Sequence, residues 1–278
     1  MNIELRDGAD LQIEQGAAGV ASADLVIDTL VMSGGTVDIV ADGNVIINSV
    51  TGILGQLNIT STGGNVWVRS MADGGDVRIE ATGAVVLGSR AAASGPADTT
   101  IEADTLSVKA GAEITVFEAD GVDINQIWST SQSPITVLAG GDLALNADIS
   151  TSGHAIDLRA SVGALTLNGV LSTGGGSVSL QAASGVTLTE LSGVTTQGGT
   201  VVVDAGDAAL LMAKFAVIDA SGGALHLAAG GLMTLGTVKT SYAGVVNIAA
   251  GGLVGQAASD VDIWAPNAEL VLVSSAGV

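Results

Sequence analysis

The chain has no cysteine, so no disulfide staples it and no thiolate can serve as nucleophile or metal ligand. Rings are scarce as well: three Trp, two Phe and one Tyr in 278 residues, against 40 Gly. A core with so few large side chains must be thin and filled by Val, Leu, Ile and Ala. Basic residues number eight against 28 acidic, for a net charge of −20. That balance argues against nucleic acid or an anionic membrane surface as partner. It leaves room for sporadic divalent cations such as Ca2+ on an acidic face, since 18 of the acids lie before residue 140. No run approaches the roughly 18 apolar residues of a membrane helix, so membrane insertion is not expected. Nor does the amino terminus read as a signal peptide, because Glu4, Arg6, Asp7 and Asp10 interrupt any apolar stretch. The motifs G-x-S-x-G, the phosphate-binding P-loop and H-E-x-x-H do not occur.

What the chain does contain is a repeat. Between Ser150 and Ala250 one phrase recurs: small polar residues, a Gly turn, an alternating apolar strand, Ala and Gly, then a second alternating strand. The first apolar residue after each turn is Ile156, Val178, Val201, Leu225 and Val246. Two residues on stand Leu158, Leu180, Val203, Leu227 and Ile248, followed by Ala160, Ala182, Ala205, Ala229 and Ala250. Alternation at period two marks strands with one buried face. Recurrence every two dozen residues marks a solenoid. Matching side chains stand one repeat apart, so stacking successive windings in parallel puts like on like, whereas a hairpin would pair sequence neighbours. Gly at the corners supplies the tight bends.

The same column is traced backwards through Val37, Leu57, Val77, Leu106 and Ile135. Two of its steps are long, which places inserted loops near 90–100 and 119–133. Insertions in solenoids emerge on one face, often the binding face. The phrase returns at Leu270–Leu272. The expected fold is therefore all-β: a single-stranded parallel β-helix (β-solenoid) of roughly 11–12 coils, one repeat domain over 1–278. No terminal cap is legible, so we expect a piece of a longer chain, or a subunit whose copies stack end to end.

Three chemistries deserve weighing. Calcium-binding nonapeptides are only half matched at Gly74-Gly75-Asp76 and Gly140-Gly141-Asp142, which lack the following Gly and Asp. Glu113, Glu118, Asp120 and Asp123 read as a solvated acidic face. A polysaccharide-cutting site would draw on Asp73, Asp76, Arg78 and Glu80 with Arg69 nearby, yet Asp76, Arg78 and Glu80 alternate outward as surface charges do. His154 and His226 lie three coils apart, about 14 Å at strand spacing, too far to share a metal. Trp67 and Trp264 should point outward from their strands and Trp128 falls in the longer inserted segment; these three are the candidate glycan contacts, since an exposed indole can stack on a sugar ring.

The phrases Leu167-Asn168-Gly169-Val170-Leu171-Ser172-Thr173-Gly174-Gly175-Gly176 and Leu145-Asn146-Ala147-Asp148-Ile149-Ser150-Thr151-Ser152-Gly153 resemble repeats of filamentous-haemagglutinin-like adhesins. These are the large exoproteins of two-partner secretion and related giant bacterial surface proteins. The resemblance implies a right-handed β-helical stalk at the bacterial cell surface, extracellular, used in adhesion or surface structure. It implies no catalytic residues and no cofactor. The secretion domain of that family, with its Asn-Pro motif, is not recognisable here. The expected function is thus a non-catalytic structural stalk or adhesin segment. Its partners would be flanking repeats or stacked copies, and a host or cell-surface glycan or protein. A polysaccharide-processing lyase or hydrolase and a self-assembling filament or sheath subunit are the alternatives.

Overall fold

A computed structural model describes residues 1–5, 8–16, 24–53, 55–72, 75–88, 101–240, 245–252, 254–256, 263–267 and 269–274. The chain forms two compact units, Met1–Val137 and Leu138–Val278. Each is a right-handed, parallel β-solenoid, and no helix occurs among the described residues.

In the second unit a coil has three strands, as in Ile156–Ala160, Leu165–Leu167 and Val170–Ser172. The expected column is the observed one. Ile156 pairs with Val178, Val178 with Val201, Val201 with Leu225, Leu225 with Val246, and Val246 with Leu270. The first five of these residues are buried, as are Leu158, Leu180, Val203, Leu227 and Ile248. Burying each such aliphatic side chain contributes roughly 1.5–3 kcal/mol. Because successive rungs place aliphatic side chains of similar size in register, they stack as continuous ladders.

The third strand ends at a corner built from threonine and glycine. Thr151 donates to the carbonyl of His154 at 2.6 Å, Thr196 to that of Gly199 at 2.6 Å, and Thr173 likewise to Gly176. These hydroxyls are buried and satisfied three residues ahead, which folds the chain back into the next long strand. Directly after them, Gly176, Gly199 and Gly223 stack so closely that a Cβ on Gly199 would run into the carbonyl oxygen of Gly176. The requirement here is close approach of backbone to backbone. Gly199→Ala should therefore lower stability by about 1–3 kcal/mol through overpacking, read as a reduced urea midpoint at unchanged slope. A midpoint equal to the parent's would contradict the stacked corner.

The first unit stacks Leu11–Gln15, Thr36–Ala41, Gln56–Ser61, Asp76–Ala81, Thr105–Ala110 and Val122–Ser129 in one sheet. A second sheet holds Leu25–Ile27, Val45–Ile47, Val66–Val68, Val85–Leu87 and Ile114–Glu118. The column Val37, Leu57, Val77, Leu106 is real, but its next member is Ile124 and not Ile135. Ile135 opens the strand Ile135–Ala139, in the other sheet, beside Ile114–Glu118. The 119–133 segment, read as an inserted loop, accordingly contains the eight-residue strand Val122–Ser129. The other expected insertion, 90–100, lies outside the described residues.

Side chains also stitch coil to coil at the first unit's corners. Asn44 accepts from the backbone N–H of Asn65 at 2.8 Å, and Asn65 in turn accepts from that of Ala84 at 2.7 Å. Asp10 does the same for Thr36 at 2.8 Å.

Candidate functional site

The outward side chains of the first unit's long-strand sheet form two polar columns. One runs Asp38, Asn58, Arg78, Ser107, Gln126; the other runs Val40, Thr60, Glu80, Lys109, Trp128. Their positions follow from alternation: Val77 and Ile79 point inward and are buried, so Asp76, Arg78 and Glu80 must point out. Arg78 donates to Glu80 at 2.8 Å, and Lys109 stands 3.8 Å from the other oxygen of that carboxylate. The hydrogen bond from Arg78 holds the Glu80 carboxyl below its usual range; partial burial opposes this and Lys109 reinforces it. Asp76 accepts from the hydroxyl of Thr105. The Lys109 ammonium lies 5.8 Å from the centre of the Trp128 ring, within cation–π reach.

Two hollows open on this face. One, of about 290 Å³, is lined by Gln56, Asn58, Ile59, Thr60, Arg78 and Glu80. The other, of about 310 Å³, shares Thr60 and Glu80 and extends past Lys109 to Thr130. The amide nitrogen of Asn58 donates to Asp38 at 2.7 Å, while its carbonyl oxygen Oδ1 is shielded from water and accepts nothing.

The candidates singled out from sequence are scattered by this architecture. Asp76, Arg78, Glu80 and Trp128 share one sheet face. Arg69 follows the strand Val66–Val68 of the other sheet and is exposed there. Asp73 lies outside the described residues. Trp67 is half-buried in an aliphatic column between Ile46 and Val86. Trp264, 50% exposed, belongs to the second unit, where it pairs with Lys239. Trp128, 48% exposed, is the indole that stands among polar neighbours. Along their strand Asp76 and Glu80 are four residues apart, roughly 13 Å between Cα atoms. Glycoside hydrolysis needs carboxyls about 5–9.5 Å apart, one of them with a raised pKa. Glu80, held ionised by Arg78, suits neither the spacing nor the acid role.

Several acids serve the coil itself. Asp142 accepts from the backbone of Ala164 at 2.8 Å and Asp148 from that of Val170 at 2.7 Å, each reaching the next coil. Asp142, considered for calcium, is thus a staple between windings. Among the described residues no cluster of three His, Asp or Glu side chains gathers to hold a metal. His226 accepts at Nδ1 from the Asn247 amide at 3.2 Å, and His154 is exposed in a turn.

Glu118 departs from the expected solvated acidic face. It is 3% exposed and occupies the inward position after Ile114 and Val116. Its two oxygens accept from the backbone N–H groups of Ala103 at 3.2 Å and Asp120 at 3.0 Å. Burial, with the neighbouring Asp120 adding, pushes its carboxyl up to about 8. The parity of the strand was the available signal: in Ile114-x-Val116-x-Glu118 the third inward position is the carboxylate.

A second feature that sequence reading passed over lies in the second unit. Leu191 is 78% exposed at φ 68°, and Phe215 is exposed in the equivalent turn of the next coil, with Lys214 at 5.2 Å from its ring. No protein-family model, curated protein sequence or solved structure matches the chain.

Proposed function

We propose that the chain is a non-catalytic structural segment of an extracellular bacterial surface protein, an adhesin-like β-solenoid that presents a binding face on its coils. The observation that carries this reading is the combination of in-register aliphatic ladders inside each unit with a polar, aromatic-bearing array outside the first. The interior is committed to ladders, so function is left to the outward columns. The resemblance of the Asn-Gly and Thr-Gly-Gly phrases to filamentous-haemagglutinin-like repeats supports the same reading.

The test is made on the cells that encode the protein. Antibody against the chain should label intact cells, and in-frame removal of its coding segment should lower attachment severalfold while growth is unchanged. Labelling that requires permeabilised cells would overturn the surface assignment. Turnover of a polysaccharide by the purified chain would replace the non-catalytic reading with the lyase or hydrolase alternative.

A further inference from the structure

We infer that the outer face of the first unit's long-strand sheet binds a neutral oligosaccharide, with Trp128 as its stacking platform and Asn58, Arg78 and Glu80 as its hydrogen-bonding wall. This goes beyond the proposed surface role and does not depend on it, because binding is a property of the folded chain wherever it resides.

Four observations converge. The first is donor and acceptor chemistry. The column Asn58, Arg78, Ser107, Gln126 mixes donors and acceptors on consecutive coils, and sugar hydroxyls, which both donate and accept, match such a mixture. The second is the hollow itself, of about 290 Å³, whose wall carries the polar side chains of Gln56, Asn58, Thr60, Arg78 and Glu80.

The third is the indole. Trp128 stands outward and 48% exposed, two coils from Glu80, roughly 10 Å at the strand spacing. The hollow lined by Glu80, Lys109 and Thr130 runs alongside this column. A linear chain of a few sugars running across the coils therefore reaches from Asn58 to the ring. The fourth is charge. Arg78 and Lys109 share the Glu80 carboxylate, and Asp38 and Asp76 stand on the same outward face, so carboxylates outnumber these two cations and the face has no excess of positive charge to select an anionic glycan. The acidic excess of the chain repels such a polymer at long range.

The inference is tested with the purified full chain on a printed panel of neutral hexasaccharides of glucan, mannan and galactan type, with hexagalacturonate as the anionic counterpart. Calorimetry follows on the strongest neutral probe. We expect binding to at least one neutral probe and weaker binding to hexagalacturonate. Trp128→Ala and Asn58→Ala should each weaken the neutral probe about tenfold or more. Trp264→Ala, which removes an equally exposed indole in the other unit, should leave affinity unchanged. Far-UV circular dichroism confirms folding; both binding variants alter outward side chains and leave the inward ladder untouched. No neutral binding, preference for hexagalacturonate, or affinity indifferent to both substitutions in folded protein would overturn the inference. None of these outcomes bears on whether the chain is displayed on cells.

Discussion

Val178→Asp unfolds the second unit's coils at neutral pH, whereas Ser179→Asp, one residue away, leaves them folded. Val178 is fully buried and sits in register between Ile156 below and Val201 above. A carboxylate there has no partner on any rung. It must either ionise in an aliphatic ladder or fold protonated with its polar oxygens unmatched, and either route costs several kcal/mol. Because the same ladder continues through Leu225 and Val246, the loss is expected to exceed about 4 kcal/mol, among the largest single-site effects. Ser179 points the other way and is half-exposed. Its neighbour in register is Asp157, so Ser179→Asp sets two like charges side by side and costs up to about 1 kcal/mol. Denaturant midpoints of the two variants decide the matter, and comparable losses would reject the register.

The second large effect is a pH dependence set by Glu118. In the folded chain its carboxyl titrates at about 8, against an ordinary value of 4.5. Below about pH 4.5 it is protonated in both folded and unfolded chains and costs nothing. Between about 4.5 and 8 the unfolded chain releases the proton while the folded chain retains it, so stability falls as pH rises. Above about 8 the penalty is complete. Linkage over that interval amounts to roughly 4–5 kcal/mol. Glu80, whose carboxyl is held low by Arg78, contributes with the opposite sign, so the comparison is drawn between parent and Glu118→Gln. The glutamine can satisfy only one of the two backbone N–H groups that Glu118 serves, a loss that does not vary with pH. Its signature is thus a stability difference from the parent that moves in the variant's favour by a few kcal/mol between pH 4.5 and 8. Parallel stability curves across that range would show that the Glu118 carboxyl titrates normally.

Where the sequence could be read and where it could not follows from the same ladders. In the second unit the inward trio, such as Val178, Leu180 and Ala182, recurs from Ile156 to Val246 at steps of 21–24 residues. The column was therefore traceable residue by residue. In the first unit two different sheets use that phrase: Leu106-x-Val108-x-Ala110 in one and Ile135-x-Val137-x-Ala139 in the other. Spacing alone joined them. The true neighbour of Leu106 is Ile124, and the register shift between Leu106 and Ser107 places Asn125 and Gln126 outward in succession. That break in the period of two hid the strand. The polar face was half legible. Alternation showed that Asp76, Arg78 and Glu80 point outward, but Trp128 fell in the segment read as an inserted loop, and its grouping with them depends on stacking in register, which residue spacing does not encode once an irregular rung intervenes. Glu118 was misplaced because its residue type outweighed the parity of its position.

The threonine–glycine corner has a consequence for how such a protein changes length. Thr151, Thr173 and Thr196 close near-identical bends, and each winding meets its neighbours through the same set of shapes. Excising the segment from Val178 to Thr200 would bring Val201 onto Ile156 and Thr196's role back to Thr173, with every remaining contact of the familiar kind. Loss or gain of one whole winding of the second unit therefore leaves contacts of the same kind on either side of the junction, so the fold tolerates changes in length by whole coils.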